Sequence, residues 1–273
     1  VPFGLRIITL ILIILVLARP QTTNSWQNSE IEGIDIMLAI DVSTSMLAED
    51  LKPNRLEAAK DVAAEFINGR PNDNIGITLF AGESFTQCPL TVDHAVLLNL
   101  FQGIQCDIIE DGTAVGMGIA NAVTRLKDSK AKSKVIILLT DGTNNKGDIS
   151  PLTAAEIAKS FGIRVYTIGV GTNGMAPYPY PVGNTVQYIN MPVEIDEKTL
   201  TQIAGTTDGN YFRATSNSKL KEVYEEIDKL EKTKLNVKEY SKREEDYRWF
   251  ALAAFLCVLL EVLLRNSILK KIP

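Results

Sequence analysis

Two apolar runs, residues 34–40 (IDIMLAI) and 134–140 (KVIILLT), constrain the fold more than any other feature of the chain. A strand with one face in water alternates apolar and polar residues, whereas a strand buried on both faces is apolar almost throughout. Both runs therefore predict central strands of a parallel sheet.

Helical patterns separate these strands from others along the chain. Further strands are predicted at residues 75–81, 163–170 and 211–214, with a short hairpin over 83–91. Helices are predicted at residues 55–67, 93–101, 113–126, 151–161, 194–204 and 218–231. Strands that alternate with helices predict an α/β fold with a doubly wound, mostly parallel central sheet and helices on both faces.

Polar side chains follow the two clearest strands at the point where each strand ends. Asp41, Ser43 and Ser45 follow the first in the phrase DVSTS, and Asp141 follows the second in TDG. Thr113 opens a predicted helix in the phrase DGT. Doubly wound sheets bind ligands at the carboxyl ends of their strands, so we expect these five residues to converge at one edge.

The chemistry of this set favours a hard cation. Two carboxylates and three hydroxyls, with no sulfur or imidazole, suit Mg²⁺ or Mn²⁺ and do not suit zinc. So few carboxylates leave the cation incompletely neutralised, and an Asp or Glu of another protein can supply the missing ligand. The set therefore favours recognition of a partner over catalysis.

Simpler interpretations of the same residues exist. Asp and Ser form turns by bonding nearby backbone, and we expect Thr44 and Thr143 to serve such turns. Asp111 is expected to cap the helix that carries Thr113. A phosphatase with an aspartate nucleophile is an alternative, although such sites place a second carboxylate where Ser43 stands.

Other motifs exclude further classes of site. Residues 169–174 match the dinucleotide fingerprint GxGxxG, but the prolines of the following MAPYPYPVG rule out the helix that the fingerprint needs. His94 is the only histidine, which excludes triads built on histidine. A net charge of −5 does not indicate a nucleic-acid-binding chain.

A proline-rich segment, residues 174–193, leaves the carboxyl end of a predicted strand and should lie on the same face as the metal. It is either a hairpin without a role in binding or a partner-binding surface built on Tyr178, Tyr180 and Tyr188. Cys88 and Cys106 are either a disulfide or two buried thiols.

Apolar runs at both ends predict transmembrane segments at residues 1–20 and 248–265. A signal peptide is the alternative for the first, but Ala18, Arg19 and Pro20 do not resemble a cleavage site. Because the chain opens on Val1, we expect upstream sequence. Glu261 inside the second run indicates assembly within the membrane.

The remaining organisation follows from these segments. A linker is predicted at residues 21–32, the folded domain at 33–231, a charged linker at 232–247 and a basic tail at 266–273. Basic residues outside the spans, Arg6 at one end and Arg265, Lys270 and Lys271 at the other, place both tails in the cytoplasm and the domain outside it.

DVSTS, DGT and TDG, in this order on an alternating fold, resemble the metal-ion-dependent adhesion site (MIDAS) of a von Willebrand factor type A domain. The resemblance covers roughly residues 33–230 and implies a Rossmann-like fold. It makes Asp41, Ser43, Ser45, Thr113 and Asp141 the metal-site residues. In such domains the hydroxyls tend to coordinate directly, and the aspartates coordinate directly or through water.

The phrases FAGESFTQCPLTVDHAVL, GTAVGMGIANAV and VIILLTDGTNNKGDISPLTAAEIAK resemble bacterial aerotolerance proteins of the BatA type. That resemblance implies a domain on the periplasmic side of the bacterial inner membrane. It also implies other membrane-anchored Bat-type proteins and a MoxR-type AAA+ ATPase as partners. The sequence thus predicts a non-enzymatic, Mg²⁺-dependent interaction module, with a metal-dependent hydrolase or a metal-stabilised structural scaffold as alternatives.

Overall fold

The computed structural model describes residues 2–18, 21–22, 33–142, 144–172, 174–182, 185–193, 195–236, 244–245 and 247–267. The chain divides into two compact units, Val1–Glu30 with Lys238–Pro273, and Ile31–Val237. Several parts of the sequence named above lie outside the described residues. They are most of the predicted first linker, Thr143, the side chain of Glu261 and the tail beyond residue 267.

Helices and strands alternate through most of the chain. The helices are α1 (Pro2–Leu17), α2 (Arg55–Asn68), α3 (His94–Gln102), α4 (Val115–Leu126), α5 (Pro151–Ser160), α6 (Glu197–Thr206), α7 (Asn217–Asn236) and α8 (Tyr247–Ser267). The strands are β1 (Gln21–Thr22), β2 (Asp35–Asp41), β3 (Asn74–Phe80), β4 (Ser84–Thr91), β5 (Lys134–Thr140), β6 (Ile163–Val170), β7 (Gly174–Val182), β8 (Thr185–Val193), β9 (Tyr211–Ala214) and β10 (Glu244–Glu245).

The smaller unit contains α1, α8 and a short antiparallel pairing of β1 with β10. Several apolar side chains of both helices are exposed, among them Leu10, Leu17 and Phe255. Within the residues that the structure describes, no helix has both the length and the apolar character required to cross a bilayer. The transmembrane segments at 1–20 and 248–265 stay predictions.

The larger unit is built on a six-stranded sheet in the order β4-β3-β2-β5-β6-β9. All neighbours are parallel except β3 and β4, which pair as the antiparallel hairpin expected near residues 83–91. The two strands predicted to be central, β2 and β5, lie side by side in the middle and are buried almost throughout. The mostly parallel sheet is confirmed.

Alternate residues of β2 face two separate cores. Ile36, Leu38 and Ile40 pack in one core with residues of α2, α3 and α7. Met37 and Ala39 pack in the other with residues of α4, α5 and α6. Helices therefore cover both faces, which confirms the doubly wound architecture.

Helix ends follow local capping chemistry in most places. The side chain of Asp93 accepts from the Val96 amide at the start of α3, and that of Ser150 from the Thr153 amide at the start of α5. The helix predicted at 194–204 instead begins at Glu197, because Asp196 is its N-cap and accepts from the Thr199 amide.

Strands β7 and β8 form a two-stranded antiparallel hairpin, in which Gly174 pairs with Val193 and Val182 with Thr185. Gly174, the last glycine of the fingerprint match, begins a strand and not a helix, as the prolines predicted. Prolines occupy every second position in the second half of β7, at 177, 179 and 181. These prolines lie opposite Asn190, Tyr188 and Val186 of β8. Since proline has no N–H to donate, they fit the pairs of an antiparallel ladder that exchange no hydrogen bonds, and the residues between them fit the hydrogen-bonded pairs.

Candidate metal centre

The carboxyl ends of β2 and β5 bring the two predicted aspartates together. Asp41 is the last residue of β2 and Asp141 directly follows β5, and both are buried. Ser45 Oγ donates to Asp141 Oδ1 at 2.7 Å and lies 3.0 Å from Ser43 Oγ. Four of the five residues singled out in the sequence therefore form one contiguous cluster.

The side chain of Asp41 is held by both of its oxygens. The Ser43 amide donates to Oδ1 at 2.9 Å, and the Thr140 hydroxyl donates to Oδ2 at 2.5 Å. Thr140, the last residue of β5, was missed in the sequence analysis. The signal that could have found it is its position at the end of β5, just before Asp141. The end of β2, which carries Asp41, lies beside it in the sheet.

Thr113, the fifth residue, is buried beside the loop that carries Asp141. Its amide donates to Asn145 Oδ1 at 2.8 Å. A Cβ added to Gly142 would lie 3.3 Å from Thr113 Oγ1, so the glycine leaves room for this hydroxyl at the edge of the cluster.

The expectation that Asp111 caps the helix carrying Thr113 is wrong. Helix α4 begins at Val115, and its N-cap Ala114 makes no side-chain cap. Asp111 instead accepts from the amide of Thr44 at 3.1 Å and from its hydroxyl at 3.0 and 3.1 Å. Thr44 is the first residue of a short 3-10 helix, Thr44–Leu47, so Asp111 fixes the loop between the two serines.

A buried arginine completes the surroundings of Asp141. Arg55 Nη1 lies 2.6 Å from Asp141 Oδ2, and Nη2 lies 2.6 Å from Asp50 Oδ2. The side chain of Arg55 is only 1% exposed. The motifs in the sequence do not single out Arg55. The signal that could have found it is the helical face that it shares with Ala59, because a charge on an apolar face indicates a buried partner.

Burial makes both carboxylates unfavourable as isolated anions. Desolvation, together with the nearby charge of Asp141, raises the pKa of Asp41 to about 7 even though Ser43 and Thr140 donate to it. Desolvation also raises the pKa of Asp141, against the opposing charge of Arg55. A divalent cation held by this cluster would favour the ionised forms of both carboxylates.

The donor set fits such a cation. Carboxylate and hydroxyl oxygens converge here, and Ser45 is exposed, so the cluster opens to solvent on one side. Among the described residues, no group of three or more His, Cys, Asp or Glu side chains is placed to hold a metal. A metal at this position would thus depend on the serine and threonine hydroxyls.

Cys88 and Cys106 are free thiols, so the structure contains no disulfide between them. Burial and then the charges of Asp41 and Asp141 raise the pKa of Cys106 to about 12. Cys106 is therefore a protonated thiol at neutral pH, close enough to both aspartates to be influenced by them.

A cavity of about 250 Å³ adjoins the cluster. The 3-10 helix region forms one side of it and the β7–β8 hairpin the other. The residues that line it are Thr44, Ser45, Ala48, Arg55, Ala176, Tyr178, Tyr180, Met191, Pro192 and Val193. The hairpin therefore lies next to the cluster, and Tyr178 and Tyr180 line the cavity between them. Tyr188 instead hydrogen-bonds Glu49.

The family model of the von Willebrand factor type A domain matches residues 35–226, which is most of the chain. The chain belongs to this family. The fold and the order of DVSTS, DGT and TDG agree with that membership.

Two solved structures from Bacteroides are similar to this von Willebrand factor type A protein. BatB from Bacteroides thetaiotaomicron is 34% identical, with a TM-score of 0.65, and the match covers 73% of this chain and 100% of that one. An aerotolerance-related membrane protein from Bacteroides fragilis is also 34% identical, with a TM-score of 0.63, covering 72% of this chain and 100% of that one. The resemblance to Bat-type proteins is confirmed.

More distant relatives extend the comparison. A UPF0353 protein of Mycolicibacterium paratuberculosis is 31% identical over 237 residues, 82% of this chain and 67% of its own length. Proximal thread matrix protein 1 of the mussel byssus, described with a zinc-occupied MIDAS motif, is 25% identical with a TM-score of 0.58, over 73% of this chain and 46% of that one. The zinc in that protein's MIDAS motif runs against the expectation that a site of this kind does not suit zinc.

Proposed function

We propose that this von Willebrand factor type A domain is a Mg²⁺-dependent protein-interaction module that binds an Asp or Glu carboxylate of a partner. The observation that carries the proposal is the cluster of Asp41, Ser43, Ser45 and Asp141, with Ser45 exposed to solvent. Thr113, beside the loop of Asp141, would complete the set.

Each residue has a distinct part in this proposal. The hydroxyls of Ser43, Ser45 and Thr113 would hold the metal directly, and the buried carboxylates of Asp41 and Asp141 would supply negative charge. When bound, Mg²⁺ supplies an electrophilic position that a partner carboxylate can fill. Mn²⁺ would substitute for it, since both prefer oxygen ligands.

The ion pair with Arg55 supports a metal that binds a partner carboxylate over a metal whose charge the domain itself neutralises. One oxygen of Asp141 accepts from Ser45, and the other is paired with the guanidinium. The arginine thereby offsets part of the negative charge that would otherwise neutralise the cation. A cation left partly uncompensated attracts a carboxylate from outside.

We further propose that the domain is anchored in the bacterial inner membrane by the segments at 1–20 and 248–265 and faces the periplasm. Its partners would be other membrane-anchored Bat-type proteins and a MoxR-type AAA+ ATPase, in an envelope complex for aerotolerance. The support is the similarity to BatB and to the aerotolerance-related membrane protein of Bacteroides fragilis.

Calorimetric titration tests the metal site. MgCl₂, MnCl₂ and ZnCl₂ are titrated separately into the metal-free wild type, Asp41→Ala and Glu110→Gln. Glu110 is a matched control, because it is a carboxylate of the loop before Thr113 that is largely exposed and pairs with Lys146. We expect Mg²⁺ to bind the wild type and Glu110→Gln alike and to give no heat of binding with Asp41→Ala. Equal Mg²⁺ binding by Asp41→Ala would remove the proposal.

A further inference from the structure

We propose that the cavity between the 3-10 helix and the hairpin receives a large apolar side chain that neighbours the metal-binding acidic residue in the partner's sequence. This inference rests on the proposed function. It specifies the partner as a segment in which Asp or Glu adjoins a residue such as Phe, Leu, Met or Tyr.

The position of the cavity sets this spacing. Ser45 belongs both to the proposed metal-binding set and to the cavity wall, and Thr44 lines the cavity beside it. Consecutive Cα atoms lie about 3.8 Å apart, so a carboxylate at the metal and a side chain in the cavity can come from adjacent residues.

The size of the cavity favours a single side chain. Sites that enclose drug-sized ligands and cofactors have volumes of about 300–1,000 Å³. The volume here is about 250 Å³, below that range. The cavity is open on the side of the hairpin tyrosines, where Tyr180 is 52% exposed and Met191 45% exposed.

The lining favours an apolar occupant. Most of the walls are the apolar parts of the hairpin residues together with Ala48. Arg55 is the one charged residue among the described lining residues, and it already pairs with both Asp50 and Asp141. A charged occupant would therefore find no free counter-charge, whereas an apolar one would bury the exposed surface of Tyr180 and Met191.

The backbone of the hairpin favours insertion of a side chain over addition of a strand. Three successive outward positions of β7 are prolines, at residues 177, 179 and 181, which offer no N–H to an added strand. The outward carbonyl of Pro177 already accepts from the Glu49 amide at 2.9 Å. Recognition along this edge therefore depends on side chains, in contrast to partners that extend a sheet.

A displayed library of seven-residue peptides with a fixed central Asp tests the inference. The library is bound to the immobilised wild-type chain in MgCl₂, and bound peptides are eluted with EDTA. We expect large apolar residues to be enriched beside the Asp. Replacing the enriched residue with Ser in a selected peptide should weaken binding roughly tenfold, as expected when part of a large apolar side chain is buried.

Variants of the hairpin locate the effect. Tyr180→Ser with Met191→Ser should abolish the apolar enrichment while EDTA elution continues, and Tyr180→Ser alone should reduce it. Tyr188→Ser is the matched control, since Tyr188 is 60% exposed on the same hairpin but is not among the residues lining the cavity. We expect that variant to select the same peptides as the wild type. Melting temperatures establish that each variant is folded.

The outcomes separate this inference from the proposed function. EDTA-eluted peptides without any apolar preference would overturn the cavity inference and leave metal-dependent binding of carboxylates intact. The same would follow if the double variant kept the wild-type preference. A library that yields no peptides eluted by EDTA would overturn the proposed function, and the inference with it.

Discussion

The guanidinium of Arg55 and the carboxylate of Asp141 form a buried ion pair in which Nη1 lies 2.6 Å from Oδ2, although 86 residues separate them in the chain. Asp50 binds the other side of the guanidinium and also accepts from the amide and hydroxyl of Thr172. The pair thus connects the start of α2, the loop after β5 and the end of β6 beneath the candidate metal centre.

Replacing Arg55 with Met should destabilise the protein strongly. The substitution leaves Asp50 and Asp141 without their buried counter-charge, and breaking a buried pair costs about 3–5 kcal/mol. Urea unfolding at pH 7 in EDTA measures the change in the free energy of unfolding.

Lys146→Met is the control for this prediction. Lys146 pairs with Glu110 near the same loops, but both side chains are substantially exposed, at 41% and 73%. Exposed pairs contribute about 0–1 kcal/mol, so the variant should unfold nearly as the wild type does. Equal losses in the two variants would mean that burial of the Arg55 pair is not what stabilises the fold.

Two helical glycines should respond to alanine in opposite directions. A Cβ on Gly116 in α4 would lie 2.0 Å from the carbonyl oxygen of Ile149, which is backbone and cannot swing away. Overpacking of this kind costs about 1–3 kcal/mol, so Gly116→Ala should lower the free energy of unfolding. Thermal unfolding followed by circular dichroism checks the prediction.

Gly205 in α6 provides the matched comparison. It is exposed, and a Cβ there would meet no atom within 4 Å. Gly205→Ala should therefore stabilise the protein by about 0.5–1 kcal/mol, because alanine has the higher helix propensity. A stabilised Gly116→Ala would show that α4 does not pack as closely on this loop as the structure indicates.

Glu231 should confer a pH-dependent part of the stability. Burial alone would raise its pKa, but hydrogen bonds from Arg164, Tyr166 and Ser133 and the charge of Arg164 outweigh burial and hold it below the ordinary value of 4.5. A lowered pKa in the folded state stabilises the fold above pH 4.5, and that contribution is lost as the pH falls through the folded-state value.

Glu231→Gln should therefore lose about 3 kcal/mol at pH 7, and the difference from the wild type should shrink as the pH falls below 4.5. Urea unfolding from pH 7 to pH 3.5 measures this difference. Glu222→Gln on the same helix is the control, since Glu222 is 62% exposed and pairs only with Lys219 among its described contacts. A pH-independent loss in Glu231→Gln would point to packing and not to charge.

Much of the fold was predictable because the central strands have an unmistakable pattern. The runs that became β2 and β5 are apolar on both faces, and Asp41 and Asp141 stand directly at their ends. The rule for doubly wound sheets then predicts from the sequence alone that both aspartates lie at one edge.

Contacts between distant loops were not predictable in the same way. Asp111 was assigned a local capping role, but it bonds Thr44, which lies 67 residues earlier. The sequence left a hairpin as one alternative for residues 174–193, and the proline spacing indicates where its first strand runs. Prolines at every second residue fit a strand that pairs on one side.

The most direct test of the account is a crystal structure of the chain with bound Mn²⁺, using anomalous diffraction to locate the metal. We expect a single strong peak within coordination distance of the Ser43, Ser45 and Thr113 hydroxyls, with one coordination position facing solvent or a neighbouring carboxylate. A peak away from these hydroxyls, or a metal fully enclosed by side chains of its own domain, would contradict it.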